Sequence, residues 1–175
     1  MRKVVFYGAI TLDGYLSDDT NSLTWLFETD TGGETTYEKF IQNIDTVIMG
    51  RVTYEEVLKI QGNEPLYADQ DVFVFSRDTS TNFQDVQTIH QDPVSFVNQL
   101  KEKEGKTIWI VGGGNLLKPL LEANMIDEWW IQITPVMLGK GKRLFEEGDY
   151  AERLELVDTT TFGQFVELHY KKISD

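Results

Sequence analysis

The sequence predicts an α/β fold built on a central, mostly parallel sheet with antiparallel strands at its C-terminal edge. Three observations predict it. The apolar runs at residues 4–10, 46–49, 71–75 and 107–111 are continuous, as strands buried on both faces are. Segments with helical spacing stand between these runs, which is how parallel strands are joined. The last two segments, 154–161 and 165–173, alternate with period two and meet near Gly163, the pattern of a hairpin.

The elements follow in order. Residues 4–10 form the first strand and run into Thr11-Leu12-Asp13-Gly14. Residues 11–33, rich in Asp, Thr, Ser and Gly, read mostly as a long loop of the kind that serves as a lid. Residues 34–43 have helical character, with Tyr37, Phe40, Ile41 and the following Ile44 at helical spacing. The strand at 46–49 meets Gly50, and a helix over 51–60 starts at once. Residues 71–75 are a third strand and 85–89 a fourth. Asp92-Pro93 opens a helix with a cap and a first-turn proline, and Gly105 stops it after about Glu104. The strand at 107–111 runs through Gly112, Gly113 and Gly114 into a helix over 115–123, with Pro119 expected in its first turn. Residues 127–134 alternate Trp129, Ile131 and Ile133 against Trp130, Gln132 and Thr134. In the last strand Val166, Leu168 and Tyr170 alternate with Glu167, His169 and Lys171, which puts His169 on a polar face at the sheet edge.

Residues 1–175 contain no repeat or linker and read as a single domain. The net charge of −13 repels nucleic acid and anionic membranes, so neither is an expected partner. An anionic cofactor is held in such a chain only by locally placed N–H groups, Arg and Lys. There is no cysteine, which excludes disulfides and thiolate chemistry and fits a cytoplasmic location. His90 and His169 lack metal-ligand spacing, so no metal site is expected.

Both glycine joins lie where the carboxyl ends of parallel strands bind ligands. Gly112, Gly113 and Gly114 remove every Cβ between a buried strand and a helix start, which admits a phosphate to free N–H groups; Asn115 caps or donates. The alternative is a tight turn without a ligand. Arg51 and Thr53 follow Gly50 in a first helical turn and offer donors to phosphate oxygens, or are a surface Arg and a cap-like Thr. Ser76 and Arg77 end a buried strand, where an Arg suits a 2′-phosphate or simply pairs with Asp78.

Taken together and in this order, these segments resemble the dihydrofolate-reductase-like superfamily, and within it the reductase branch of riboflavin biosynthesis. Ala9-Ile10-Thr11-Leu12-Asp13-Gly14-Tyr15 is similar to that branch's opening, and Met49-Gly50-Arg51-Val52-Thr53-Tyr54-Glu55, Phe75-Ser76-Arg77 and Val111-Gly112-Gly113-Gly114-Asn115 to its later motifs. So is Pro135-Val136-Met137-Leu138-Gly139-Lys140-Gly141 with Leu144-Phe145. The resemblance implies a three-layer dihydrofolate-reductase-like fold with helices on both sheet faces. It implies an NADPH-dependent reductase that transfers hydride to a small heterocycle, either a pterin such as dihydrofolate or a pyrimidine of the 5-amino-6-ribosylaminouracil type. Gly50, Arg51 and Thr53 would hold the pyrophosphate and adenosine side. Ser76 and Arg77 would contact the 2′-phosphate, and Gly112, Gly113, Gly114 and Asn115 the pyrophosphate. Ala9 and Ile10 would line the nicotinamide pocket, with Asp13, Gly14 and Tyr15 in the mobile loop.

The resemblance also implies a carboxylate on the helix after that loop. Counting back from Met49-Gly50-Arg51 gives Glu34; counting forward from Trp25 gives Asp30. Glu34 is preferred as the catalytic group because it opens the helix bearing Tyr37 and Phe40; the alternative is a helix-start Glu favouring the dipole. A phosphorylated substrate would want basic residues, which Lys140, Lys142 and Arg143 offer. The competing reading is a non-catalytic NADPH- or nucleotide-binding module. A homodimer through the terminal strands is the expected assembly.

Overall fold

The computed structural model describes residues 1–62, 64–65 and 67–174. Its strands are β1 (Val4–Thr11), β2 (Tyr15–Ser17), β3 (Ile44–Gly50), β4 (Asp71–Phe75), β5 (Gln87–Ile89), β6 (Thr107–Gly112), β7 (Glu128–Thr134), β8 (Lys142–Arg143), β9 (Leu154–Phe162) and β10 (Phe165–Lys172). Its helices are α1 (Thr24–Phe27), α2 (Tyr37–Ile41), α3 (Arg51–Gln61), α4 (Pro93–Lys101) and α5 (Gly114–Glu122).

Eight strands form one sheet in the order β5-β4-β3-β6-β1-β7-β10-β9, and β2 pairs with β8 in a separate ribbon. Every pair from β5 across to β7 is parallel, and β10 is antiparallel to both its neighbours. The strands with continuous apolar sequence are the central ones, because both their faces are covered. On one face Val4, Phe6, Ile48, Ile108 and Ile110 pack against Phe96, Val97 and Leu100 of α4 and Leu117 and Leu120 of α5. On the other, Val5, Tyr7, Val47, Met49 and Trp109 pack against Phe40 of α2 and Tyr54 of α3. The result is three layers. Among the described residues, no helix is long and apolar enough to cross a membrane.

Capping explains one helix and misleads at two others. Asp92 caps α4 by accepting from the Ser95 N–H at 2.9 Å, as its sequence predicts. That helix ends at Lys101, three residues earlier than expected, and Gly105 instead takes a positive φ of 153° beside Asp45 and Arg2. The helix expected from Glu34 begins only at Tyr37, since Gly32 and Gly33 adopt positive φ and the chain has no helical geometry there. Pro119 lies inside α5 rather than in its first turn. The edge strand is β9, so His169 on β10 is an interior position: its ring stacks on Trp130 at 3.9 Å and bonds Glu128 at 2.9 Å.

Candidate active site

A cavity of about 1040 Å³ opens over the carboxyl ends of β1, β3, β4 and β6. The two glycine joins flank it from adjacent strands, for Met49 of β3 pairs with Gly112 of β6. Of the residues singled out in the sequence, Ala9, Gly50, Arg51, Thr53, Ser76, Arg77, Gly113, Gly114 and Asn115 line this one space. Ile10, Gly14 and Gly112 do not line it. The Ile10 side chain is 8% exposed within the core on the opposite face. Gly112 is buried with a φ of 122°, and its peptide bond to Gly113 is cis.

Why these positions are glycine differs from site to site. A Cβ on Gly114 would stand 2.4 Å from the Arg143 carbonyl oxygen, so the start of α5 touches β8 backbone. At Gly50 the nearest atom to a Cβ would be 3.8 Å away, and at Gly113 it would be 3.7 Å, the Thr53 Oγ1. The space beside Gly50 and Gly113 is therefore open to a ligand, while Gly114 is required by the fold. The first N–H groups of α3 and α5 have no intrahelical acceptor and point to this end of the sheet.

Four cations line the cavity of this acidic chain: Arg51, Arg77, Lys142 and Arg143. Arg51 is held by Glu55 one helical turn on, at 2.9 Å, and remains 46% exposed. Arg77 forms no ion pair among the described residues, whereas the Asp78 carboxylate is occupied by Ser80. Ser76 is buried and bonds Ile89 through its N–H at 3.0 Å. Arg143 lies 5.4 Å over the Tyr15 ring. His90, also in the cavity wall, bonds the Ser76 carbonyl at 3.0 Å.

The loop after β1 is fastened chiefly by Asp13. Asp13 accepts from Thr11 Oγ1 at 2.6 Å, from the Gly139 N–H at 2.7 Å and from the Leu138 N–H at 3.1 Å. The Thr11 hydrogen bond, with the Gly139 and Leu138 amides, holds the carboxyl below its usual value against partial desolvation. Tyr15 donates to the Gly139 carbonyl at 3.0 Å, and the Gly14 carbonyl accepts from Leu144 at 3.2 Å. Residues 11–33, expected to be mostly loop, thus contain β2 and α1, with β2 closed onto β8 at the cavity rim.

The other half of the cavity is aromatic: Tyr7, Tyr37, Trp109, Phe162 and Phe165 line it. Here the sequence-based carboxylate is corrected. Glu34 is exposed and outside the cavity wall, because the turn through Gly32 and Gly33 carries it away from α2. Asp30 instead accepts from the Gly32 N–H at 2.8 Å, beside a smaller cavity near Trp25. The buried carboxylate on this side is Glu167, bonded to Thr36 and Gln132. Sequence reasoning missed it by reading the Glu167 face of β10 as polar, whereas Glu167 is buried and Tyr170 of the other face also packs on the core. The available signal was register: Glu167 stands opposite Gln132, which stands opposite Ala9, a residue already placed in the site. Burial pushes the Tyr7 phenol up to about 12, and the Glu167 charge adds to the rise.

The profile of the RibD C-terminal domain family matches residues 61–168. The chain belongs to the RibD C-terminal domain family. The match takes in Ser76, Arg77, the second glycine join and Glu167. The uncharacterized protein YwjB of Bacillus subtilis (strain 168) is 39% identical over 97% of each chain, which extends the likeness to the Gly50 join. A solved structure, the putative riboflavin biosynthesis protein from Shewanella sp. PV-4, matches with a TM-score of 0.86 and 25% identity, covering 99% of this chain and 100% of that one. Dihydrofolate reductase from Enterococcus faecalis, complexed with NADP(H), matches with a TM-score of 0.70 and 18% identity, covering 98% and 97%. The architecture is that of the dihydrofolate-reductase-like proteins.

Proposed function

We propose that this RibD C-terminal domain protein is an NADPH-dependent reductase of a small flat heterocycle, a pterin or a pyrimidine. The observation that carries this reading is convergence. Two glycine joins, two helix N-termini and Arg77 border one side of a single cavity, and aromatic rings border the other. The neighbours support it: one is a dihydrofolate reductase complexed with NADP(H), and another a putative riboflavin biosynthesis protein.

The residues present suit a dinucleotide. The open backbone at Gly50 and Gly113 admits a pyrophosphate to the N–H groups of α3 and α5, with Arg51, Thr53 and Asn115 as further donors. Ser76 and Arg77 receive the 2′-phosphate, and Ala9 borders the nicotinamide. When bound, the cofactor supplies a hydride. The chain's own part is to hold the heterocycle against Tyr37 and Trp109 and to exclude water with the β2–β8 ribbon. The test is NADPH oxidation followed at 340 nm with dihydropterins and 5-amino-6-ribosylaminouracils as acceptors. Consumption with at least one is expected. A folded protein that binds NADPH yet consumes it with none of them overturns the reductase reading.

A further inference from the structure

Glu167 is a buried carboxylate without a cation. It is 5% exposed, and among the described residues no Lys, Arg or His pairs with it. Two donors converge on its Oε2: the Thr36 hydroxyl at 2.6 Å and the Gln132 amide nitrogen at 2.5 Å. Two donors on one carboxylate oxygen is the arrangement an ionised acid takes.

These two bonds order the donors around it. Thr36 has a single hydroxyl proton, and Glu167 takes it. Tyr7, 2.8 Å from the Thr36 oxygen, must then be the donor in that contact. Gln132 turns its nitrogen to Glu167 and leaves its carbonyl oxygen, which accepts no protein donor among the described residues. Tyr7 and Gln132 both line the cavity, whereas Glu167 stands behind them. With the Tyr7 proton on Thr36 and one Gln132 amide proton on Glu167, the lone pairs of Tyr7 Oη and Gln132 Oε1 are left for a ligand.

We propose that Glu167 is a positioning residue that makes this wall an acceptor surface, selecting a heterocycle whose edge carries N–H donors, an exocyclic amine beside a ring N–H. The inference rests on the reductase reading for the ligand being a flat heterocycle. 2-Aminopyrimidin-4-ones and 2-aminopteridin-4-ones have such an edge. A ligand with a methyl group in place of the amine leaves a desolvated acceptor unmet, a loss of roughly tenfold or more in affinity.

The probes are 2-aminopyrimidin-4-one and 2-methylpyrimidin-4-one, which differ in that one group. Their dissociation constants are measured by ligand-observed NMR on the whole protein, with and without saturating NADPH. The wild type is expected to prefer the amino compound by about tenfold or more. In Glu167→Gln, whose amide is able to donate as well as accept, the preference is expected to fall below about threefold with NADPH affinity unchanged. Gln132→Met removes the carbonyl acceptor directly and is expected to erase the preference too. A merely structural role for Glu167 would weaken both probes alike and leave their ratio intact, which overturns the proposal. So does a wild type that binds the two equally, or binds neither while binding NADPH; in those cases the cofactor reading stands. If NADPH fails to bind, that reading falls, and the ratio measured without it still decides this one. Should the variants not fold, the wild-type ratio alone decides.

Discussion

Exchanging two glycines for alanine separates what the fold requires from what a ligand requires. At Gly114 the new methyl would stand 2.4 Å from the Arg143 carbonyl oxygen and 3.3 Å from the Leu144 carbonyl oxygen. Both obstacles are backbone, so rotation of a side chain gives no relief. Forcing such an overlap costs about 1–3 kcal/mol. For a chain of this size each kcal/mol lowers Tm by about 2–4 °C, so Gly114→Ala should melt roughly 2–12 °C below the wild type. At Gly50 the φ of −78° suits alanine and nothing stands within 3.8 Å of the methyl. The gain in chain stiffness and the poorer helix cap oppose one another, each worth up to about 1 kcal/mol, so Tm should stay within about 4 °C. The same methyl would occupy the space proposed for the pyrophosphate. NADPH affinity of Gly50→Ala should therefore fall at least about tenfold, equivalent to about 1.4 kcal/mol. Differential scanning fluorimetry and calorimetric titration of both variants provide the numbers. Wild-type NADPH affinity in a folded Gly50→Ala protein would refute the open-backbone argument, and a wild-type Tm in Gly114→Ala would refute the close approach of β8.

Other consequences are equally direct. Arg77→Ala should weaken NADPH by roughly ten- to a hundredfold and leave NADH unchanged, since a charge-assisted bond to a phosphate is worth about 1.5–3 kcal/mol; equal losses for the two cofactors would contradict the 2′-phosphate role. Trp109 lines the cavity, so Trp109→Phe should remove most of the fluorescence change on NADPH addition, and an undiminished signal would place the reporter elsewhere. Asp13 is held below its ordinary 3.8, so its fastening of the loop is complete at neutral pH and is lost as pH falls through the depressed value. Hydrogen exchange at the Leu138 and Gly139 amides should quicken in Asp13→Asn at pH 7; exchange at the wild-type rate would mean that other contacts hold the loop.

The elements legible in sequence were those whose pattern is set by burial on both faces. The apolar runs of β1, β3, β4 and β6 could occupy only the centre of a sheet, and the glycines at two of their ends marked the site. The β2–β8 ribbon was not legible, because strands of three and two residues have no period and pair across more than a hundred residues. Glu167 escaped for a different reason. An apolar set, Val166, Leu168 and Tyr170, looked like the core face, yet Val166 is 41% exposed while Glu167 is buried. A polar residue on a buried face reads as solvated until its partners are known, and Thr36 lies 131 positions away. Thr36 stands at the N-cap of α2 without a capping bond, since its hydroxyl serves Glu167.

The central claim is that this cavity holds the cofactor, and a titration of isotope-labelled protein with NADPH, followed through backbone amide resonances, tests it at the level of single residues. The account predicts saturable shifts at Gly50, Arg77, Gly113, Gly114 and Asn115 with one molecule bound per chain. Saturable shifts confined to other surfaces, or none at all, would contradict it.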